Sequence, residues 1–351
     1  MPTLISLIKK ESLHIVRDKR TMLITLLMPL VLLLLFGFAI STEVNDVRIV
    51  AVVDRHTDTT REILEKFSAN DFFTFQGLAS ADDVETLLRT GKTVAALLLR
   101  NQNGQLEYQI VVDASNTTSA QAMTGYVEAV LNSGRAAAAP AVLTHTLYNP
   151  QMKSAYNFVP GIMGMIFILI CAIMTSVSIV REKETGTMDL LFVSPIKPRT
   201  IILGKLVPYF LLSCIILTVM LLIAYTVLGL PFSTGVVNVV FISLLYIVLS
   251  LSIGLLVSTI VNTQLTALIV SAVAFMLPVI MLSGMIFPID NMPVALQWVS
   301  CIIQARWYIE AMRKLMIQQL DIEFVFQEIV ILLSMTTVLL TLSVKKFSSA
   351  Q

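Results

Sequence analysis

Few residues in this chain have the types and spacing that chemistry needs. Gly91-Lys92-Thr93 looks like the end of a phosphate-binding loop, but such a loop requires a glycine five residues before its second one, where Thr86 stands. The residues before it read as helix and those after it as strand, the reverse of the order a phosphate loop requires. Gly91 is therefore read as the cap of an ordinary helix. His14, His56 and His145 are isolated, with no Cys or carboxylate at metal-ligand spacing, and each reads as a surface histidine. Neither a Gly-x-Ser-x-Gly nor a His-Glu-x-x-His pattern occurs. The sequence predicts no catalytic residue, no cofactor and no metal, and hence a chain that is not an enzyme.

The charged residues of interest gather in one stretch, residues 181–205, REKETGTMDLLFVSPIKPRTIILGK. Arg181-Glu182-Lys183-Glu184 can continue a preceding apolar helix as a solvated one. Gly186 breaks it, and Thr187 can cap a short helix over residues 188–193, which Ser194-Pro195 ends. A plain connector beside a membrane needs only positive charge. A Glu pair runs against that bias and suits an element that docks on a partner and carries its motion into the flanking helices. On this reading Glu182 and Glu184 face basic residues of the partner, and reversing their charge costs little folding energy.

The elements around this stretch are apolar. Hydrophobic residues make up 56% of the chain and charged residues 13%, which places it in the membrane class. Residues 206–289 contain no Asp, Glu, Lys, Arg or His. A helix crossing a bilayer core takes about 20 apolar residues. Breaks at Gly229-Leu230-Pro231 and Asn262-Thr263-Gln264 divide this block into spans over residues 206–228, 236–261 and 265–287. Residues 21–42, 154–180 and 329–344 add three more. The last is so short that it must start near Phe324 or thin the bilayer. The first apolar run exceeds the roughly 7–15 residues of a signal-peptide core, so it is read as a retained span. A pump driven by an ion gradient usually keeps a carboxylate or His at membrane depth. This core has none, so the energy of any transport comes from elsewhere. In the fifth span Pro278 removes a backbone donor and Gly284 follows, which predicts a bend. An outer hairpin over residues 288–323 should come next, partly embedded because Trp298, Trp307 and Tyr308 favour the interface.

Orientation follows from basic residues in short loops. Lys9, Lys10, Arg17, Lys19 and Arg20, then Arg181, Lys183, Lys197, Arg199 and Lys205, then Lys345 and Lys346 fall on one side of six spans. Only Arg306, Arg313 and Lys314 fall on the other, which places both termini in the cytoplasm. Residues 1–20 form an amphipathic segment, with Leu4, Ile5, Ile8, Ile15 and Val16 opposite Lys9, Lys10 and Arg17. Residues 43–153 lie outside and have the composition of a soluble domain. Their pattern reads β-α-β-α-β-β-α, opening with the buried strand VRIVAVVD at residues 47–54. Cys171 and Cys214 sit inside spans, and Cys301 alone cannot close an internal disulfide. The expected fold is a polytopic α-helical membrane protein: six transmembrane helices plus a small mixed α/β extracytoplasmic domain.

These residues carry a resemblance. Arg181-Glu182-Lys183-Glu184-x-Gly186-Thr187-Met188-x-x-Leu191, then Ser194-Pro195 and Gly204-Lys205, resembles the loop of ABC-2 type exporter permeases. The basic N-terminus, one span, a large ectodomain and five further spans look like the bacterial drug-export branch. Phe287-Pro288-Ile289 and Met292-Pro293 resemble its outer hairpin. The resemblance implies a multi-pass subunit of the bacterial inner membrane, without catalytic residues. Two permease subunits, identical or sibling, would pair with two separate ABC ATPase subunits. Arg181, Glu182, Lys183, Glu184, Gly186, Thr187, Ser194, Pro195, Gly204 and Lys205 would form the ATPase-coupling loop.

The implied activity is ATP-driven export of a hydrophobic or amphipathic substrate, drug-like or lipid-like. A Met-rich apolar core suits such molecules, although Met is also an ordinary packing residue. The alternative is an ATPase-coupled mechanotransmitter, which moves its ectodomain without passing substrate through the membrane. No nucleic-acid partner is implied; the lipid bilayer is.

Overall fold

The computed structural model describes residues 2–39, 47–54, 57–70, 72–90, 92–102, 105–112, 117–132, 154–188, 193, 196–232, 235–289 and 292–349. They divide into two compact units, Ser41–Lys153 and the rest of the chain. The chain opens with α1 (Pro2–Arg17) and α2 (Lys19–Ala39). On α1, Ile5 and Val16 are exposed while Glu11 is buried. The face turned to the protein therefore contains an acid that the apolar pattern did not mark.

The smaller unit comprises β1 (Val47–Val53), α3 (Asp58–Ser68), β2 (Phe73–Leu78), α4 (Ala81–Arg89), β3 (Ala95–Gln102), β4 (Gln105–Val112) and α5 (Thr117–Asn132). The sheet runs β2-β1-β3-β4. β1 pairs in parallel with β2 and β3 across the helical crossovers, and β3 pairs antiparallel with β4. β1 is buried along nearly its whole length because helices cover both sheet faces. On one face Ile49 and Leu97 pack with Phe67 of α3 and with Met123 and Val127 of α5. On the other, Val50 and Ala96 pack with Val84 of α4. Thr57 and Thr60 form a reciprocal capping box at the start of α3. Ser80 precedes α4 but makes no side-chain capping bond, so Asp82 and Asp83 in the first turn carry the charge that the helix dipole favours there. Thr93 donates to the carbonyls of Arg48 and Ala95, at 2.7 and 2.9 Å. It is a strand-edge residue; Gly91 lies outside the described residues.

The larger unit continues with α6 (Ser154–Glu184), α7 (Pro198–Thr226), α8 (Val236–Ser258), α9 (Gln264–Leu282), α10 (Val294–Ser300), α11 (Gln304–Met312) and α12 (Phe326–Ser349). Among the described residues, five stretches are long and apolar enough to cross a membrane: Phe158–Glu184, Pro198–Thr226, Val236–Ser258, Gln264–Leu282 and Ile322–Phe347. α2 is apolar over the shorter stretch Thr25–Phe36. The last span begins at Ile322, with a 3-10 turn over Ile322–Val325 leading into α12, so it gains length at its start. α6 and α8 form the centre. The α8 side chain Tyr246 donates to the Gly164 carbonyl at 3.1 Å and stacks on Tyr308 of α11 at 4.2 Å. α9 lies at the periphery, with Leu265, Val273 and Leu277 exposed.

Pro278 lies inside α9 and leaves the Ala274 carbonyl without its usual donor. The helix runs only four residues further, to Leu282, and the chain then turns through Gly284 at φ 80°. The aromatic expectation needs correction. Trp298 is exposed, but Tyr308 is fully buried and Trp307 nearly so, donating to the Cys301 carbonyl at 2.9 Å. Their hydroxyl and indole groups find partners inside the bundle, so they pack the core instead of anchoring at an interface.

Candidate functional site

The last turn of α6 holds four consecutive charged residues, and three of them reach different elements. Glu182 is 9% exposed. It accepts a hydrogen bond from Lys10 Nζ of α1 at 2.8 Å. Lys205 Nζ of α7 stands 2.9 Å from its other oxygen, a contact of charge without hydrogen-bond alignment. Lys205 also donates to Glu11 of α1 at 3.2 Å, and Lys10 lies 3.7 Å from the same carboxylate. Two cations and two anions thus form a neutral set in which Glu11, Glu182 and Lys205 are buried and Lys10 is half-exposed. Removing such charges from water is costly, and only close pairing offsets that cost. Burial works against the charge on Lys10, yet Glu182 and Glu11 outweigh it and raise its pKa above the ordinary lysine value.

Lys183 and Glu184 each cap another helix. Lys183 Nζ donates to the Ser258 carbonyl at the C-terminus of α8. Glu184 accepts from the backbone N–H of Gln264 at 3.2 Å and from its side-chain amide at 2.8 Å, at the N-terminus of α9. A cation at a C-terminus and an anion at an N-terminus both match the helix dipole. The end of α6 therefore grips α1, α7, α8 and α9 at once. Gly186 has φ 72°, a left-handed value that favours glycine, and ends the helix there. Thr185 and Thr187 share a 3.1 Å hydrogen bond, and both accompany Glu182 through its carbonyl.

This geometry corrects the reading of the stretch as a solvated helix with two free carboxylates. Glu182 is turned inward, and Glu184 is used as a helix cap. The exposed positions are Arg181, Glu184, Thr185, Gly186 and Thr187. Gly204 is also placed: a Cβ there would lie 2.8 Å from Leu7 Cβ, so its lack of a side chain lets α1 approach α7. Ser194 and Pro195 lie outside the described residues, as do residues 189–192. A cleft of about 470 Å³ opens beside the ionic set, lined by Lys10, His14, Asp18 and Arg181 together with Met174 and Leu268.

A second ionic cluster went unmarked in the sequence. Lys314, in the π-helical turn Arg313–Ile317 after α11, donates to Glu328 of α12 at 2.6 Å and lies 3.7 Å from Glu310. Glu328 is 1% exposed. Burial, then the charge of Glu328, pushes the Glu310 carboxyl above its ordinary value, against Lys314 and Arg306. Arg313 donates to the Gly284 carbonyl at 2.8 Å, tying this cluster to the turn after α9.

The sequence model of the family described as "ABC-2 family transporter protein" matches residues 19–345, which includes every helix from α2 to the basic end of α12. The chain belongs to the ABC-2 transporter family. It is 29% identical over 324 residues to the "Probable multidrug ABC transporter permease YbhS" of Escherichia coli (strain K12), covering 87% of this chain and 86% of that relative. It is 28% identical over 349 residues to the "Probable multidrug ABC transporter permease YbhR" of the same organism, covering 94% of each. A 24% identical stretch of 261 residues aligns it with the "Inner membrane transport permease YhhJ", also of that strain, over 69% of this chain and 68% of the relative. In this ABC-2 family chain, the end of α6 joins four other helices, α1, α7, α8 and α9.

Proposed function

We propose that this chain is the inner-membrane permease subunit of an ATP-driven exporter, and that residues 181–205 are where a separate ABC ATPase subunit engages it. The carrying observation is the junction at Glu182, Lys183 and Glu184, which ties the loop to four helices. A push on exposed Arg181, Gly186 and Thr187 would reach α1, α7, α8 and α9 together. Gly204 keeps α1 seated against α7, so the interfacial helix moves with the loop. The ATPase-coupling set thus comprises Arg181, Glu182, Lys183, Glu184, Gly186, Thr187, Ser194, Pro195, Gly204 and Lys205, with Glu182 and Lys205 acting as positioning residues.

The proposed topology has six spans, both termini in the cytoplasm and residues 43–153 outside. It rests on the asymmetry of basic residues, with α2 as the first span. Two permease subunits, identical or sibling, would face each other in the bilayer. The substrate class is hydrophobic or amphipathic, in keeping with the multidrug names of the relatives and with a helical unit whose central block lacks charge.

Inside-out vesicles carrying this chain with its ABC ATPase should accumulate Hoechst 33342 when ATP is added. Vesicles carrying the ATPase alone should not. If the chain stimulates ATP hydrolysis while several amphipathic dyes and fluorescent lipids all stay outside, it is a mechanotransmitter and the exporter reading is wrong.

A further inference from the structure

A second groove, of about 940 Å³, lies between the start of α7 and the end of α12. Its polarity is ordered along the helices. Lys197, Arg199 and Lys345 stand at its rim, all exposed, while Leu203, Leu206, Leu340 and Val344 line it below. No carboxylate lines it, and none of the three cations has an acidic partner among the described residues. This sets it apart from the ionic clusters, where each lysine already meets a glutamate. The rim also holds the N-terminus of α7, where Pro198 occupies the first helical position and the helix dipole is positive. From Pro198 to Leu206 the groove descends about 12 Å along the helix. Ile202, in its floor, packs with Phe347 and Leu255 and is not free to close the space.

We propose that this groove binds one anionic phospholipid, its phosphate held by Lys197, Arg199 and Lys345 and an acyl chain laid against Leu203, Leu206, Leu340 and Val344. Both walls are membrane-spanning helices with their charge at one end, so the occupant needs a negative head and an apolar body in that order. A soluble anion would use the rim and leave the apolar length uncovered. The binding does not depend on which substrate the chain moves, so its failure would leave the permease reading intact.

Native mass spectrometry of the full-length protein in detergent tests this with dioleoyl phosphatidylglycerol, dioleoyl phosphatidylcholine and inorganic phosphate as probes. A basic residue near the surface strengthens anionic-lipid binding about fivefold, so three contribute about a hundredfold. Phosphatidylglycerol should therefore be retained about a hundredfold more tightly than phosphatidylcholine. The triple variant K197Q/R199Q/K345Q should fall to the phosphatidylcholine level. K9Q/R17Q/K19Q, which removes the same charge from α1 and α2, should retain the lipid as before. Inorganic phosphate at millimolar concentration should not compete. If the triple variant fails to fold, Leu203→Trp keeps every charge and fills the apolar length, and it should still lower retention at least tenfold. Undiminished retention in the triple variant or in Leu203→Trp, equal loss in the α1–α2 control, or displacement by phosphate alone would each overturn the proposal.

Discussion

At one end of the helical unit, Lys10, Glu11, Glu182 and Lys205 form a set of two cations and two anions. At the other, Lys314 stands between Glu310 and Glu328, with Arg306 and Arg313 close to Glu310. The two lie at opposite ends because Glu328 and the basic end of α12 at Lys345 are separated by about 25 Å of helix. The first set joins residues 172 and 194 positions apart, whereas the second joins positions only 14 apart. A balanced set linking distant elements holds them as one body. The local set fastens the segment after α11 to the first turn of α12, and burial there raises the Glu310 carboxyl above its ordinary value. On the proposed function, the first end would transmit motion and the second would anchor.

The sharpest way to break this contrast is Lys205→Met. It leaves Glu11 and Glu182 buried with only half-exposed Lys10, and should destabilise the protein by about 3–5 kcal/mol in denaturant melts in detergent. A loss below about 1 kcal/mol would mean that the set is not a structural knot. Glu328→Gln should cost less, about 1–3 kcal/mol, because Lys314 is partly exposed and can turn to water or to Glu310. Gly204→Ala should cost about 1–3 kcal/mol by overpacking against the Leu7 Cβ, and Leu7→Gly, which removes that Cβ, should rescue it, so that in the Leu7→Gly background Gly204→Ala costs little. Lack of rescue would detach α1 from the junction.

The smallest effect is on pH dependence at the anchoring end. The folded pKa of Glu310 is raised above the ordinary 4.5, so ionisation of this group opposes folding. That opposition is absent below 4.5 and grows as pH rises through the folded value. Melting temperatures of the wild type should therefore fall relative to Glu310→Gln as pH climbs from 4.5. Parallel curves would show that Glu310 is indifferent to its neighbours.

Much of the helical unit was legible from the absence of charge in residues 206–289 and from the breaks at Gly229 and Asn262. The strand and helix order of the smaller unit was legible from VRIVAVVD and the turn residues. The stretch after α6 stood out by its Glu pair, but the use of that pair did not. Periodicity along α1 cannot reveal that Glu11 meets Lys205, because the contact exists only once α1 packs on α7. Nor can it reveal that Glu184 caps α9, eighty residues on. Glu328 read as the border of a span because charge ends an apolar run, yet Lys314 lets it lie inside one. Trp307 and Tyr308 read as interface anchors by type. Their buried hydrogen-bond partners, visible only in three dimensions, turn them inward.

Charge exchange between Glu182 and Lys205 tests transmission most directly, read as ATP-dependent Hoechst 33342 accumulation by inside-out vesicles with the ABC ATPase. Glu182→Lys alone places three ammonium groups around one carboxylate and should abolish accumulation. Glu182→Lys with Lys205→Glu restores the balance of charge between α6 and α7 and should recover at least a third of wild-type accumulation at equal protein level. Full accumulation by the single variant, or none by a folded and inserted exchange variant, would contradict the assignment of this junction as the element that carries motion into the membrane helices.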